Sequence, residues 1–440
     1  MSGRPREDLG RAELVRLQQE RLAALLREVL PRNRFYQRKL AAAGLSADDL
    51  QGPDGLSRLP FTTKAELLAD QEAHPPYGEI LTYPLERYSR FHQTSGTSGR
   101  PLRWLDTPES WAWAVGCWEA FYRIARIGPE DRLCFAFSFG PFLGFWTAFE
   151  AASRLGCLCL PAGGMSSGAR LRFLRDNRAT VVLCTPTYAL RLAEVAREEG
   201  IDLPGSGVRA LIVAGEPGGS IPATRQRIES GWGARVFDHN GLTECGPVGI
   251  ECAERPGGLH LLETEYLAEV IDPRTGRAVP PGVEGELVLT NFGRWGSPLL
   301  RYRTGDLVRI DPAPCPCGRE LLWLDGGVRG RADDMVVIRG NNFYPGALQT
   351  ILHRFAEVAE FRVEVDRTAA LPVLRVEVEP RTEAHGPGLA ERVDRAIRDE
   401  LLFRAEVVAV APGSLPRFEH KAQRVVRKSA AGTASEPPNC

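Results

Sequence analysis

Apolar residues recur along this chain in two different periods, and the change of period divides it. From Glu13 to Leu30 they fall at helical spacing until Pro31 ends the pattern. Leu59-Pro60-Phe61-Thr62-Thr63-Lys64 reads as a turn into a short helix. Trp111 to Ile124 repeats the helical period with aromatic residues and leads to the strand-like run Leu133-Cys134-Phe135-Ala136-Phe137. Phe145 to Leu155 is helical again, ahead of Cys157-Leu158-Cys159-Leu160. Val181-Val182-Leu183-Cys184 and Ala210-Leu211-Ile212-Val213-Ala214 then each precede a turn and a helix. Short, wholly apolar runs alternating with helices predict an α/β domain whose strands are largely parallel and buried.

From His260 to about Ile310 the texture changes. Tyr266-Leu267-Ala268-Glu269-Val270-Ile271 and Gly285-Glu286-Leu287-Val288-Leu289-Thr290 alternate apolar and polar, as half-exposed antiparallel strands do. After Asp333, a helical Leu348–Phe355, strand-like Phe361–Val365 and Val373–Val378, and a helical Leu389–Leu402 form a small α+β unit. The expected division is 1–332, 333–428 and a disordered tail, 429–440. A length of 440 residues suits one large and one small domain.

Composition narrows the function. A net charge of −1 with 25% charged residues leaves no field of one sign to favour nucleic acid or an anionic membrane. Nothing is long and apolar enough to span a bilayer, and the charged start Met1–Asp8 lacks the core of a signal peptide, so the expected location is cytoplasmic. Ten cysteines in this length are no disulfide scaffold, and Cys134, Cys157, Cys159 and Cys184 sit in apolar runs as small buried side chains do.

Chemistry gathers at a few segments. Thr94-Ser95-Gly96-Thr97-Ser98-Gly99-Arg100-Pro101 combines glycines, which let backbone approach a ligand closely, with hydroxyls that can wrap polyphosphate oxygens. No Gly-Lys-Ser/Thr follows, so this is not a P-loop, and a Ser/Gly-rich surface loop is the other reading. Further along come Asp238-His239-Asn240-Gly241-Leu242-Thr243-Glu244, Arg301-Tyr302-Arg303-Thr304-Gly305-Asp306-Leu307 and Gly330-Arg331-Ala332-Asp333-Asp334. Cys252, His260 and the tight pair Cys315-Pro316-Cys317 offer three thiols and an imidazole, a common set for structural zinc. Their spacing departs from the usual finger patterns, and a redox pair or plain turn residues are the alternatives.

In order and spacing these segments resemble the adenylate-forming (AMP-binding) enzymes. They match T-S-G-T-[TS]-G-x-P, Y-R-T-G-D and the Gly-Arg-x-Asp-Asp hinge, and Asp238–Glu244 resembles aromatic-Gly-x-Thr-Glu. Arg339-Gly340-Asn341-Asn342-Phe343-Tyr344-Pro345 and the ending Gly413-Ser414-Leu415-Pro416-Arg417-Phe418-Glu419-His420-Lys421-Ala422-Gln423-Arg424-Val425 resemble the phenylacetate–coenzyme A ligase-like branch. The resemblance runs from about Arg21 to about Lys428. It implies a large N-terminal domain of parallel sheets with a small β-barrel-like subdomain, and a mobile α+β C-terminal domain.

The function it implies is ATP-dependent activation of an aromatic or aryl-alkanoic acid to acyl-AMP, then transfer to coenzyme A. On that resemblance Thr94, Ser95, Gly96, Thr97, Ser98 and Gly99 hold phosphates, with Thr97 and Ser98 as hydroxyl contacts. Glu244 helps hold Mg²⁺, which prefers oxygen ligands. Gly215-Glu216-Pro217, Asp238, Asn240 and Thr243 lie along the nucleotide, Asp306 takes the ribose hydroxyls and Arg331 touches ribose or phosphate. Lys421 is the expected catalytic cation, bridging carboxylate and α-phosphate, and Asp333 the hinge. Phe137, Phe139, Gly140, Phe142 and Gly164 are expected to shape the acyl pocket. Some members of the branch carry the same Cys…His…Cys-x-Cys set with zinc, so Cys252, His260, Cys315 and Cys317 are expected to bind structural Zn²⁺.

Two positions depart from the pattern: Asn240 stands where the family usually has Tyr, and His420 where it has Gly. A carrier protein or an amine as acyl acceptor, and a non-catalytic nucleotide-binding relative, remain as alternatives. The family often forms homodimers, but no surface for one is legible here.

Overall fold

Short strands and capped helices build the first half of the molecule. The computed structural model describes residues 4–50, 52, 55–94, 100–332, 336–338, 341–343, 345–366, 373–401, 405–418 and 424–428. Helices α1 (Arg11–Val29), α2 (Arg34–Ala42) and α3 (Lys64–Ala73) precede a hairpin of β1 (Arg90–Gln93) and β2 (Arg103–Asp106). Then alternate α4 (Pro108–Ile124), β3 (Arg132–Phe135), α5 (Trp146–Arg154), β4 (Leu158–Pro161), α6 (Ser167–Asp176), β5 (Val181–Cys184), α7 (Pro186–Glu198), β6 (Ala210–Val213), α8 (Pro222–Trp232) and β7 (Arg235–Leu242). Thr107 and Thr185 cap α4 and α7, each accepting from an amide three residues on, with Pro at the first helical position.

The parallel strands lie in the order β4-β3-β5-β6-β7, and β5 and β6 are buried along their whole length. Their side chains divide by alternation. Leu133, Phe135, Val181, Leu183 and Ile212 pack with Trp118 and Phe121 of α4. Cys134, Val182, Cys184, Leu211 and Val213 pack on the other face with Leu171, Leu192 and Ile228 of α6, α7 and α8.

Beyond β7 the sheet continues antiparallel through β8 (Gly246–Ile250), β9 (Gly258–Leu261), β13 (Trp323–Asp325), β12 (Tyr302–Asp311), β11 (Glu284–Asn291) and β10 (Tyr266–Ile271), with β14 (Gly330–Arg331) also on β12. The switch occurs inside one strand. Arg235–Asp238 pairs in parallel with β6, whereas His239–Leu242 pairs antiparallel with β8. The Asp238–Glu244 motif begins at that switch.

The second unit contains the hairpin β15 (Val336–Ile338) and β16 (Asn341–Phe343), helix α9 (Pro345–Leu352), strands β17 (Val358–Asp366) and β18 (Val373–Pro380), helix α10 (Leu389–Leu401), and strands β19 (Glu406–Ala409) and β20 (Val425–Lys428). Its larger sheet runs β19-β18-β17-β20, with Leu348, Leu352, Val363, Val376, Val393 and Ile397 in its core. The unit docks on the large domain: Arg424 Nη1 donates to Thr187 Oγ1 at 3.1 Å, Thr224 bonds His353, and Arg381 lies 3.8 Å from Glu194. Among the described residues no helix is long and apolar enough to cross a membrane.

Candidate active site

The carboxyl ends of β6 and β7 carry the first group of predicted residues. Gly215 turns the chain out of β6 with φ +93°, a left-handed backbone that suits glycine. Glu216 is not free: its Oε1 accepts from the Thr187 amide at 2.8 Å. Asp238 is buried, accepts from Ser220 Oγ at 2.5 Å and from the His239 amide at 3.1 Å, and burial pushes its carboxyl up to about 6. A Cβ on Gly219 would sit 2.5 Å from Asp238 Oδ1, so this turn demands glycine. His239 points away, among Trp118 and Phe121, donating Nδ1–H to Gly249 O at 2.8 Å; burial holds it down to about 4 and neutral. The amide of Asn240 is buried with neither oxygen nor nitrogen partnered among the described residues. That is the state of a polar group waiting for a ligand or an ordered water.

Glu244 follows in the turn after β7, 3% exposed. Tyr302 donates its hydroxyl to Glu244 Oε1 at 2.6 Å. The backbone of this turn is gripped by Arg294, whose Nη1 donates to the carbonyls of Thr243 at 2.7 Å and Glu244 at 2.9 Å. Nε and Nη2 of Arg294 meet both oxygens of Asp106 at 2.6 Å, and each partner of this pair is 1% exposed. Asp106 ends β2, the strand that leaves the Thr94–Pro101 segment, so one guanidinium ties that hairpin to the Glu244 turn. Neither Arg294 nor Asp106 was foreseen; Asp-Thr-Pro before a helix signals a cap, and nothing local signals the pairing.

Strand β12 carries the third group. Asp306 pairs across to Arg331 of β14 in register, and Arg331 Nη1 donates to Asp306 Oδ1 at 2.7 Å and to Thr304 O at 2.8 Å. Gly305 has φ +76°, and a Cβ there would lie 2.6 Å from Arg331 Nη2, which makes glycine necessary. Tyr302 and Asp306 thus join Glu244 and Arg331 to one strand. Arg301 and Arg303 serve the fold: Arg301 pairs with Glu269 at 2.8 Å and stacks over Phe61, and Arg303 pairs with Glu286.

Thr94 closes the base of the hairpin loop, its Oγ1 accepting from the Leu102 amide at 2.9 Å. Ser95, Gly96, Thr97, Ser98, Gly99, Asp333 and Lys421 lie outside the described residues, as do His420 and the 429–440 tail. In the aromatic segment, Phe137 meets Phe139, Phe142 and Phe145 edge to face at 5.4–5.5 Å. A Cβ on Gly144 would lie 2.1 Å from the Phe137 ring, so these rings fill the space between themselves. Gly164 has open space around it.

Cys252, His260, Cys315 and Cys317 come together from β9 and two loops. Their ligand atoms all lie within 4.8 Å of one another. Cys252 Sγ is 3.6 Å from Cys315 Sγ, and Cys317 Sγ is 3.3 Å from His260 Nε2. The sulfur–sulfur separation is too long for a disulfide, and both distances are close to the edges of a tetrahedron with metal–sulfur bonds of about 2.3 Å. His260 Nδ1 faces Leu321 O at 3.3 Å, which turns Nε2 toward the thiols. The donor set therefore fits zinc. In a second grouping, Asp70, His74 and Glu79, both carboxylates are already paired with Arg38.

The family model described as "AMP-binding enzyme" matches residues 17–293, and "AMP-binding enzyme C-terminal domain" matches 340–428. Phenylacetate-coenzyme A ligase of Thermus thermophilus is 34% identical over 436 residues, covering 94% of this chain and 96% of that protein. The enzyme of the same name from Escherichia coli is 32% identical, covering 94% of each. Among solved structures, 2-hydroxyisobutyryl-CoA ligase in the postadenylation state superposes with a TM-score of 0.90 at 30% identity, covering 96% of this chain and 90% of that one. The same ligase with CoA in its thioesterification state superposes at 0.73. One protein in two states gives two scores, so the arrangement of domains here matches the first. The chain belongs to the adenylate-forming, AMP-binding enzyme family, in the branch of the phenylacetate–coenzyme A ligases.

Proposed function

We propose that this protein is an AMP-forming acid–thiol ligase that activates an aromatic or aryl-alkanoic acid with ATP and passes the acyl group to coenzyme A. The observation that carries this reading is the assembly of Glu244, Tyr302, Asp306 and Arg331 around one strand of the antiparallel region, beyond the point where β7 leaves the parallel sheet. In the first half-reaction a carboxylate oxygen attacks the α-phosphorus, the bond to the β-phosphate oxygen breaks, and pyrophosphate leaves. In the second, the thiolate sulfur of CoA attacks the acyl carbon and AMP leaves.

The residues divide the work by position. Thr94 and the Ser95–Gly99 segment take the β- and γ-phosphates, with Thr97 and Ser98 as hydroxyl donors. Glu244 presents an oxygen free of the Tyr302 bond, which suits Mg²⁺, a cation that screens the phosphates when bound. Asp306, steadied by Arg331, accepts from the ribose hydroxyls. Asp238, Asn240 and the Gly215–Pro217 turn border the base. Lys421 stabilises charge developing between carboxylate and phosphate. Asp333 is the hinge that swings residues 333–428 between the two half-reactions. Zinc at Cys252, His260, Cys315 and Cys317 fastens the loops around β9 and, with four protein ligands, takes no part in the chemistry.

The test is acid-dependent ATP–pyrophosphate exchange with a panel of aryl and alkyl acids, followed by product analysis with CoA. Exchange with aryl acids and a CoA thioester product is the expected result. Exchange without any thioester would move the acceptor to a carrier protein or amine. No exchange with any acid would remove the ligase reading.

A further inference from the structure

The two domains enclose a cavity where they meet. It holds about 30 Å³, roughly twice what one water needs. Arg191 and Glu194 of α7 and Arg227 of α8 line it from the large domain, and Glu360 of β17, Arg417 and Arg424 close it from the small one. Neither domain forms it alone, so it exists only while the two stand in this arrangement.

The charges around it do not balance among the described residues. Arg424 spends Nε and Nη2 on the two oxygens of Glu360, at 2.5 and 3.0 Å. Arg417 pairs with Glu379 through both Nη atoms, Nη1 at 3.0 Å. Arg191 lies 3.3 Å from Glu198 and 3.5 Å from Glu194, and Glu194 also meets Arg381 at 3.8 Å. Five guanidiniums thus share four carboxylates, and the one left over is Arg227. It makes no hydrogen bond or ion pair of its own with any described residue.

Arg227 is also half-buried, where a charge costs free energy until something pairs with it. Burial first, then repulsion by Arg381, pushes its guanidinium down to about 10, which leaves it charged at neutral pH. Glu194 and Glu360 act on it in the other direction, but both are already held by other arginines. The positive field reaches His353 on the same wall. Burial, with the charges of Arg424 and Arg227, holds that imidazole down to about 3, so it stays neutral and leaves the surplus at one. One surplus positive charge calls for one negative charge. A space the size of about two waters excludes an organic acid or a phosphate ester as its source.

We propose that this cavity binds a single monovalent anion of halide size, held by Arg227, and that the ion favours the docked arrangement of the two domains. A ligand that binds one arrangement and not the other shifts the balance between them. Resting on the ligase reading, the ion favours acyl-AMP formation and does nothing for the thioester step.

Chloride is the probe, replacing the bulkier gluconate at constant ionic strength, on wild type and on Arg227→Gln, which keeps a polar side chain and removes the charge. Acyl-AMP formation by wild type is expected to rise about threefold and to saturate, with thioester formation from preformed acyl-AMP unchanged or slower. Arg227→Gln should not respond. A wild type indifferent to chloride, or an equal response in the two proteins, overturns the proposal. Chloride NMR linewidths read the site without turnover: wild type should broaden the line more than Arg227→Gln does, and equal linewidths overturn the proposal. If no acid is adenylated, the ligase reading fails and the linewidths alone decide the site. In gluconate the variant should melt no lower than wild type, since it has lost an unpaired charge. A lower melting temperature there would show that Arg227 already has a partner, and would overturn the proposal too.

Discussion

Arg294 holds three segments in one place, and its geometry makes a specific demand. A fully buried guanidinium that spends its donors on one carboxylate and two carbonyls cannot be replaced by a point charge. Arg294→Lys keeps the charge but loses the fork, freeing the Thr243–Glu244 backbone. Charge-assisted hydrogen bonds of this kind are worth roughly 1.5–3 kcal/mol. The KM for MgATP is expected to rise about tenfold while the KM for the acid stays near wild type, measured by pyrophosphate exchange at varied Mg²⁺; equal losses in both would place Arg294 in the general fold alone. Asp238 gives a second prediction with a sign. Its carboxyl, pushed up to about 6 against an ordinary value of about 3.9, favours the folded state below about pH 4 and loses that favour as pH rises through 6. Asp238→Asn, which keeps bonding partners for Ser220 and the His239 amide, should therefore stabilise the nucleotide-free protein at pH 7.5 by up to about 3 kcal/mol. The gain should shrink toward pH 4.5, as thermal melts at both values will show. Glu244, Asp306 and Arg331 each sit in a contiguous motif that sequence alone singles out, and the fold brings them to one strand. Arg294 and Asp106 do not: their bond joins positions 188 residues apart, and pairing at that range leaves no local pattern.

At the scale of elements, hydrophobic period carried most of the reading. The runs at Val181–Cys184 and Ala210–Val213 became strands buried on both faces, and the alternation at Tyr266–Ile271 became an antiparallel strand paired with Glu284–Asn291. Periodicity could not reveal that β7 belongs to both regimes, because pairing partners change within it while its own side chains merely alternate. Nor could it distinguish an aromatic pocket wall from rings packed on each other, as at Phe137 and Phe142; composition is the same in both cases. The loops around β9 carry a prediction of their own. The purified protein should contain about one zinc per chain by elemental analysis. Chelation, or Cys315→Ser, should lower the melting temperature with little change in the KM for ATP. A metal-free protein that melts as before would remove zinc from the structure.

At the scale of the molecule, the domains stand as in a ligase that has just adenylated its acid. Thr187 lies at the join. Its amide supports Glu216 of the Gly215–Pro217 turn, and its hydroxyl accepts from Arg424 of the small domain, three residues past Lys421. Thr187→Val removes one of the bonds between domains, worth roughly 1 kcal/mol, and leaves the Thr224–His353 and Arg381–Glu194 contacts in place. Rapid-quench kinetics should show acyl-AMP formation slowed about fivefold and thioester formation from preformed acyl-AMP unchanged or faster. Slowing of both steps alike would deny the contact a role in selecting the arrangement. The account as a whole rests on one intermediate. In a single turnover with phenylacetate and MgATP but no CoA, wild type should accumulate acyl-AMP with one pyrophosphate released. Added CoA should convert that intermediate to thioester and AMP, and Lys421→Ala should form almost none. Pyrophosphate release without acyl-AMP, or an unimpaired Lys421→Ala enzyme, would contradict it.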